Sequence, residues 1–128
     1  MRLLLDTVTL LWITVDDPRV SERARALFTN PANELFLSVV AGWEIAVKHS
    51  IGRLPLPEPP ERFVPRRREA YGIRTLPLME EAALYAARLP RLHADPFDRL
   101  LICQAIVHGL AVLSPDPEIA KYPVQVLW

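Results

Sequence analysis

Cysteine is nearly missing from this sequence: Cys103 is the only one in 128 residues. An internal disulfide is therefore excluded, and a reducing compartment is the expectation. Charge of one sign is missing too. Lys plus Arg is 15 and Asp plus Glu is 15, giving a formal net charge of +0, so no global basic field gathers nucleic acid. Any such contact has to come from local clusters. Long apolar runs are absent, since residues 10–13 and 39–43 fall far below the ~20 residues of a spanning helix. The leucines after Arg2 stop at Asp6, too short a run for a secretory signal. A soluble cytoplasmic protein with no membrane partner is expected. Glycine is sparse: Gly42, Gly52, Gly72 and Gly109 are too scattered to form a phosphate-cradling loop. His49, His93 and His108 do not have the spacing of a zinc site. A receiver domain would suit the length, but it wants paired acids after its first strand and a lysine near the end of a late one; neither is here.

What is present suits one globular domain over residues 1–128. Apolar residues make up 51%, charged residues 23% and aromatics 8%, enough for one continuous core and unlike disorder, collagen or coiled coil. Strand-like runs at 3–5, 34–38, 73–76, 110–114 and 124–127 alternate with helical stretches at 7–13, 22–29, 40–51, 60–71, 80–88 and 96–108. Ser21 and Asp95 have N-cap chemistry, and Gly52 and Gly109 are placed to close helices. Pro65 should kink or interrupt the helix at 60–71, and the prolines of 53–60 mark a connector. Strands alternating with helices predict an α/β fold with a parallel sheet covered on both faces.

Four acids stand out against this pattern. Asp6 ends the first strand, and Asp116 lies just past the strand at 110–114. Ligands of open parallel sheets bind at the carboxyl ends of strands, near the point where strand order reverses. Each acid also has a plainer use, Asp6 as a helix cap and Asp116 as a turn residue before Pro117. Asp95 and Asp98 open the helix at 96–108, and capping is the better reading of Asp95. Asp98 shares a face with Leu101, Ile102 and Ala105, where an acid is costly unless compensated. Glu44 follows the line of Val40, Val47 and Ile51; an exposed pair with Lys48 explains Lys48 better than it explains Glu44. If Asp6, Glu44, Asp98 and Asp116 converge, their repulsion calls for a hard divalent cation, Mg²⁺ or Mn²⁺. Such an ion activates water and neutralises a phosphodiester, which argues for phosphoester hydrolysis over acyl transfer. Cys103 reads as core, and His93 as a surface or capping residue ahead of a phosphate contact.

These residues resemble the PIN domain family, and within it the small VapC-type toxins of prokaryotic toxin–antitoxin pairs. The opening Leu3-Leu4-Leu5-Asp6-Thr7 with Leu10-Leu11-Trp12 is similar to that family's first motif. Trp43-Glu44-Ile45-Ala46-Val47-Lys48 and Gly52-Arg53-Leu54 look like its second. His93-Ala94-Asp95-Pro96-Phe97-Asp98-Arg99-Leu100-Leu101-Ile102 is the most specific match, and residues 110–116 and 124–128 extend it nearly end to end. The resemblance implies a three-layer α/β/α sandwich with a central parallel sheet and a divalent-metal-dependent ribonuclease site. Asp6, Asp98 and Asp116 would hold Mg²⁺ (or Mn²⁺), directly or through water, and Glu44 would help bind it or position the attacking water. Ser114 matches a hydroxyl beside the last acid, on the substrate side, and Asp95 would support the site from behind. Cleavage would leave a 5′-phosphate and a 3′-hydroxyl. Two positions depart from the pattern, both beside the acids: Val8 replaces a polar residue such as His, and Pro115 replaces a basic one.

An RNA substrate needs local positive charge. Arg66-Arg67-Arg68, with Arg62 and Arg74 nearby, reads first as a solvated helix face. Arg99, next to Asp98, is expected to contact a phosphate or a rim acid. The resemblance further implies a homodimer and a cognate antitoxin protein whose apolar segment blocks the site. Trp12, Leu11 and Phe28 are candidates for that surface, with core burial as the plainer use of each. The reading from another class is a catalytically weak PIN scaffold that binds RNA or a protein partner. Val8 and Pro115 motivate it, whereas four retained, mutually repelling acids favour the nuclease.

Overall fold

The computed structural model describes residues 1–128. Leu3, Leu4 and Leu5 are all fully buried, which a strand achieves only when both faces of its sheet are covered. They belong to β1 (Arg2–Leu5), followed by α1 (Thr7–Thr14), α2 (Glu22–Thr29), β2 (Glu34–Ser38), α3 (Val39–Ser50), α4 (Pro60–Ala70), β3 (Arg74–Leu76), α5 (Glu80–Tyr85), α6 (Pro96–His108), β4 (Ala111–Leu113) and β5 (Val126–Leu127). The five strands form one sheet in the order β3-β2-β1-β4-β5, every pair parallel.

Alternation along the strands sorts the core into two layers. Leu3, Leu5, Leu35, Leu37 and Leu113 point to one face, where Leu10 and Ile13 of α1, Ala24 and Phe28 of α2, and Ala41 and Ile45 of α3 cover them. Leu4 and Val112 point to the other, against Leu101, Ile102 and Ala105 of α6, with Leu89, Ile119 and Tyr122. The expected α/β/α sandwich is therefore what forms. Cys103 is fully buried and free, as core packing predicts. No helix is long and apolar enough to cross a membrane.

Helix ends follow local chemistry. The Ser21 hydroxyl accepts from the Ala24 N–H at 2.9 Å. α6 closes on Gly109 at φ +65, in the left-handed region, with the Leu110 N–H bonded to the Ala105 carbonyl at 2.9 Å. Two expectations change. α4 runs unbroken through Pro65. α5 stops at Tyr85 rather than reaching residue 88, because the chain tightens there: the Ala86, Ala87 and Arg88 N–H groups bond three residues back.

Candidate active site

Strand order reverses between β1 and β4, which lie side by side with Leu5 opposite Leu113. The chain leaving each strand therefore enters the crevice where α/β sheets place their ligands. Asp6 is the first residue beyond β1, and its N–H bonds the Leu113 carbonyl at 3.2 Å. The same carbonyl accepts from the Thr9 hydroxyl at 2.8 Å, pinning α1 to the end of β4. α3 starts at the end of β2, where the Ser38 hydroxyl caps the Val40 N–H at 3.0 Å. α6 must begin on this same rim, because it feeds a strand parallel to the others. A buried amide joins the two helices: Gln104 of α6 accepts from the Ser38 hydroxyl and donates to the Pro77 carbonyl.

That scaffold opens a cleft of about 360 Å³ whose lining includes Asp6, Glu44, Asp95, Asp98 and Asp116. The four acids singled out from sequence thus meet, each from a different part of the chain. Thr7, Val8, Leu11, Lys48, Arg53 and Leu54 complete the wall. Size does not identify the site. A larger cleft of about 620 Å³ between α3 and α4 carries a single acid, Glu61.

The carboxylates are held individually. The Ser114 hydroxyl donates to Asp6 Oδ2 at 2.7 Å and accepts the Asp116 N–H at 3.0 Å, linking the ends of β1 and β4. Asp116 Oδ1 accepts the Glu118 N–H at 2.9 Å. Glu44 Oε1 accepts from the Thr7 hydroxyl at 2.7 Å, and its Oε2 pairs with the Lys48 ammonium. The Glu44–Lys48 pair exists, but it is not the exposed pair weighed above, because Glu44 is only 7% exposed. Asp95 caps α6, its Oδ1 accepting the N–H groups of Phe97 at 2.9 Å and Asp98 at 3.2 Å. His93 reaches Asp98 Oδ2 with Nε2 at 3.3 Å.

Electrostatics reflects the crowding. Burial, then the charges of Glu44 and Asp116, push the Asp6 carboxyl up to about 6 against the pull of the Ser114 bond. Burial pushes Asp98 up to about 7, with help from the charges of Asp95, Asp6 and Asp116 and against the His93 bond. The Lys48 ammonium loses hydration, yet Glu44, Asp95 and Asp98 hold its pKa above the ordinary value. A divalent cation would reverse the penalty on the acids, and hard carboxylate oxygens are the donors Mg²⁺ and Mn²⁺ prefer. No three of these side chains converge into a ready-made ligand set. An ion bound here would therefore take at most one or two of these carboxylates directly and keep several waters. The residues present fit such an ion.

Two expected roles change. Ser114 is 2% exposed and its hydroxyl proton is committed to Asp6, so it braces two acids and does not face a substrate. Arg99 is absent from the cleft wall. Its guanidinium donates to the carbonyls of Pro90 at 2.9 Å, Leu89 at 3.3 Å and Ala86 at 3.5 Å, tying down the chain after α5, and to the Tyr122 hydroxyl. Phe28 is core, whereas Leu11 sits half-buried on the cleft wall. Arg66 pairs with Glu58 on the surface, in keeping with a solvated face. Sequence reasoning missed Thr7, Gln104 and Tyr122, whose partners lie 37, 66 and 29 residues away in the chain.

The chain is similar to several known proteins. Residues 3–125 match the model of the family described as the PIN domain. The chain is 39% identical over 103 residues, 80% of its length and 69% of the other, to the Ribonuclease VapC16 of Mycobacterium tuberculosis. Solved structures share the fold. VapBC2 from Rickettsia felis, bound to a promoter DNA fragment, superposes with a TM-score of 0.71 at 13% identity, covering 99% of this chain and 98% of that one. DNA-bound VapBC from Salmonella typhimurium gives 0.70 at 18% identity, covering 99% and 97%.

Proposed function

The chain belongs to the PIN domain family, and from that premise we propose that it is a divalent-metal-dependent endoribonuclease acting as the toxin of a toxin–antitoxin pair. The observation that carries this reading is the meeting of Asp6, Glu44, Asp98 and Asp116 in one cleft at the reversal of strand order. A scaffold that only binds a partner has no use for carboxylates such as Asp6 and Asp98, which burial holds above their ordinary pKa. The 39% identical relative is a ribonuclease, which supports the substrate class.

Asp6, Asp98 and Asp116 would hold Mg²⁺ or Mn²⁺, directly or through water. When bound, such an ion would supply Lewis-acid chemistry, a lowered pKa for water and positive charge opposite the phosphodiester. Glu44, fixed by Thr7 and Lys48, orients the attacking water. Asp95 keeps the first turn of α6, and with it Asp98, in place. Arg53 is exposed on the cleft wall and faces the phosphate backbone, a role for which Arg99 is not placed. Water attacks phosphorus as the P–O3′ bond breaks, leaving a 5′-phosphate and a 3′-hydroxyl. The partner is an antitoxin protein, as in the VapBC complexes that share the fold, and the homodimer implied by the family resemblance belongs to the same proposal. A free cysteine and an RNA substrate suit the cytoplasm.

The test is cleavage of a mixed structured RNA pool by partner-free protein, with Mn²⁺, with Mg²⁺ and with EDTA, beside Asp98→Asn. Cleavage that disappears with EDTA and in the variant is the expected result. Cleavage that survives in Asp98→Asn contradicts the site; no cleavage by folded protein under any condition favours the scaffold.

A further inference from the structure

Tyr122 lies beyond the cleft wall, 3% exposed, yet its hydroxyl gathers more polar contacts than any group inside the cleft. It receives the backbone N–H of His93 at 3.2 Å and Nη1 of Arg99 at 3.2 Å, and it meets His93 Nδ1 at 2.7 Å. The first two partners can only donate. A tyrosine hydroxyl has two lone pairs and one proton, so both lone pairs are occupied and the proton is left for Nδ1. Nδ1 must then accept, and the ring proton of a neutral imidazole sits on Nε2. Nε2 is the atom aimed at Asp98 Oδ2, at 3.3 Å. A proton on Nδ1 would bring a third donor to a hydroxyl with no lone pair free.

We propose that Tyr122 is a positioning residue of the site: its hydroxyl holds His93 in the Nε2–H form, and that ring N–H fixes the Asp98 carboxylate on the rim. The chain of donors runs one way, from the Arg99 guanidinium through the Tyr122 hydroxyl and the His93 ring to Asp98. The guanidinium polarises the hydroxyl and strengthens it as a donor. Ring packing helps, since the His93 and Tyr122 rings meet edge to face at 5.3 Å and 62°. Asp98 is then held at two points, its N–H by Asp95 and its Oδ2 by His93, while Oδ1 has no protein partner and stays available to the cleft. Arg99 keeps a link to the chemistry, but through Tyr122. What Asp98 does once aimed rests on the function proposed above; the direction of the relay does not.

The first readout is the long-range ¹H–¹⁵N spectrum of the His93 imidazole in the metal-free full chain. The Nε2–H tautomer is expected in the native protein, with loss of that single form in Tyr122→Phe, which keeps the ring and removes the hydroxyl. Finding a proton on Nδ1 in the native protein overturns the relay. The second readout is Mn²⁺ affinity by calorimetry. Partners standing behind a metal ligand typically change affinity by about 10–100-fold. Tyr122→Phe should therefore weaken Mn²⁺ by about tenfold with the melting temperature taken alongside, and an unchanged affinity overturns the positioning role. Side-chain length supplies a control if Tyr122→Phe folds poorly. His93→Gln carries an amide N–H near the Nε2 position and should keep affinity close to native, whereas His93→Asn, whose amide falls short, should lose it. Equal loss in both variants contradicts the relay. Native protein that binds neither Mn²⁺ nor Mg²⁺ removes the cation site, and the tautomer still decides the direction of the chain.

Discussion

One residue separates two different kinds of packing at the ends of β1 and β4. Leu5 and Leu113 are fully buried in the same apolar layer and need nothing but volume from their neighbours. Asp6 and Ser114, the next residues along, are almost as buried at 5% and 2%, but each depends on a specific hydrogen bond to the other. Below that line the molecule is stabilised by burial, without direction and without dependence on pH. Above it, carboxylates are gathered where burial and mutual charge lift Asp6 to about 6 and Asp98 to about 7. The interior accounts for the fold; the rim works against it. Proteins keep such local conflicts where function needs them.

Substitutions and pH should act differently on the interior and on the rim. The largest effect lies in the interior. Leu4→Ala empties a fully buried position and should cost roughly 2–5 kcal/mol in urea unfolding, equally at acid and neutral pH. A cost that varied strongly with pH would blur the distinction between the two regions. Next comes the pH dependence of the metal-free protein. The folded pKa values of Asp6 and Asp98 lie above the unfolded ones, so the folded state binds more protons between them. Stability is then complete below about pH 4 and is lost as pH rises through about 6 and then 7. Asp6 alone accounts for roughly 3 kcal/mol of that fall. Stability that rises across this window would show the acids to be satisfied without a cation.

Smaller effects test the pairing. Lys48→Met leaves buried Glu44 with Thr7 alone and should cost roughly 1–3 kcal/mol at neutral pH, read by thermal unfolding. Added Mn²⁺ should recover part of it, since the cation replaces the lost positive charge. Smallest is Arg66→Ala, which breaks an exposed pair with Glu58 at 3.1 Å. It should change stability by less than about 0.5 kcal/mol and leave RNA cleavage intact. A large loss of cleavage there would return the arginine run to the substrate interface.

The interior was the more legible of the two regions. Apolar runs at strand spacing, together with Ser21, Asp95 and Gly109 at helix ends, are local signals, and the α/β/α layers follow from them. The acids were legible for a related reason: Asp6 and Asp116 stand just past strand ends, and Asp98 lies on an inward helix face. Their partners were not. Ser114 and Arg99 carry groups suited to a substrate, but the direction of each bond depends on Asp6 and on Pro90, Leu89 and Tyr122, which only the folded chain brings near. Gln104 and Tyr122 sit in apolar surroundings and read as core until their polar atoms are traced. The ends of α5 and the continuity of α4 were missed for lesser reasons, a tight turn and a proline the helix tolerates.

On this reading the rim carboxylates oppose folding until a cation joins them. Thermal unfolding at neutral pH, with EDTA and with Mn²⁺, of the native chain and of Asp6→Asn tests it directly. In EDTA the Asn variant should melt above the native protein, because a neutral amide replaces a crowded carboxylate. Mn²⁺ should raise the native melting temperature and move the variant little. A variant that melts well below the native chain in EDTA, or an equal response of both to Mn²⁺, would contradict it.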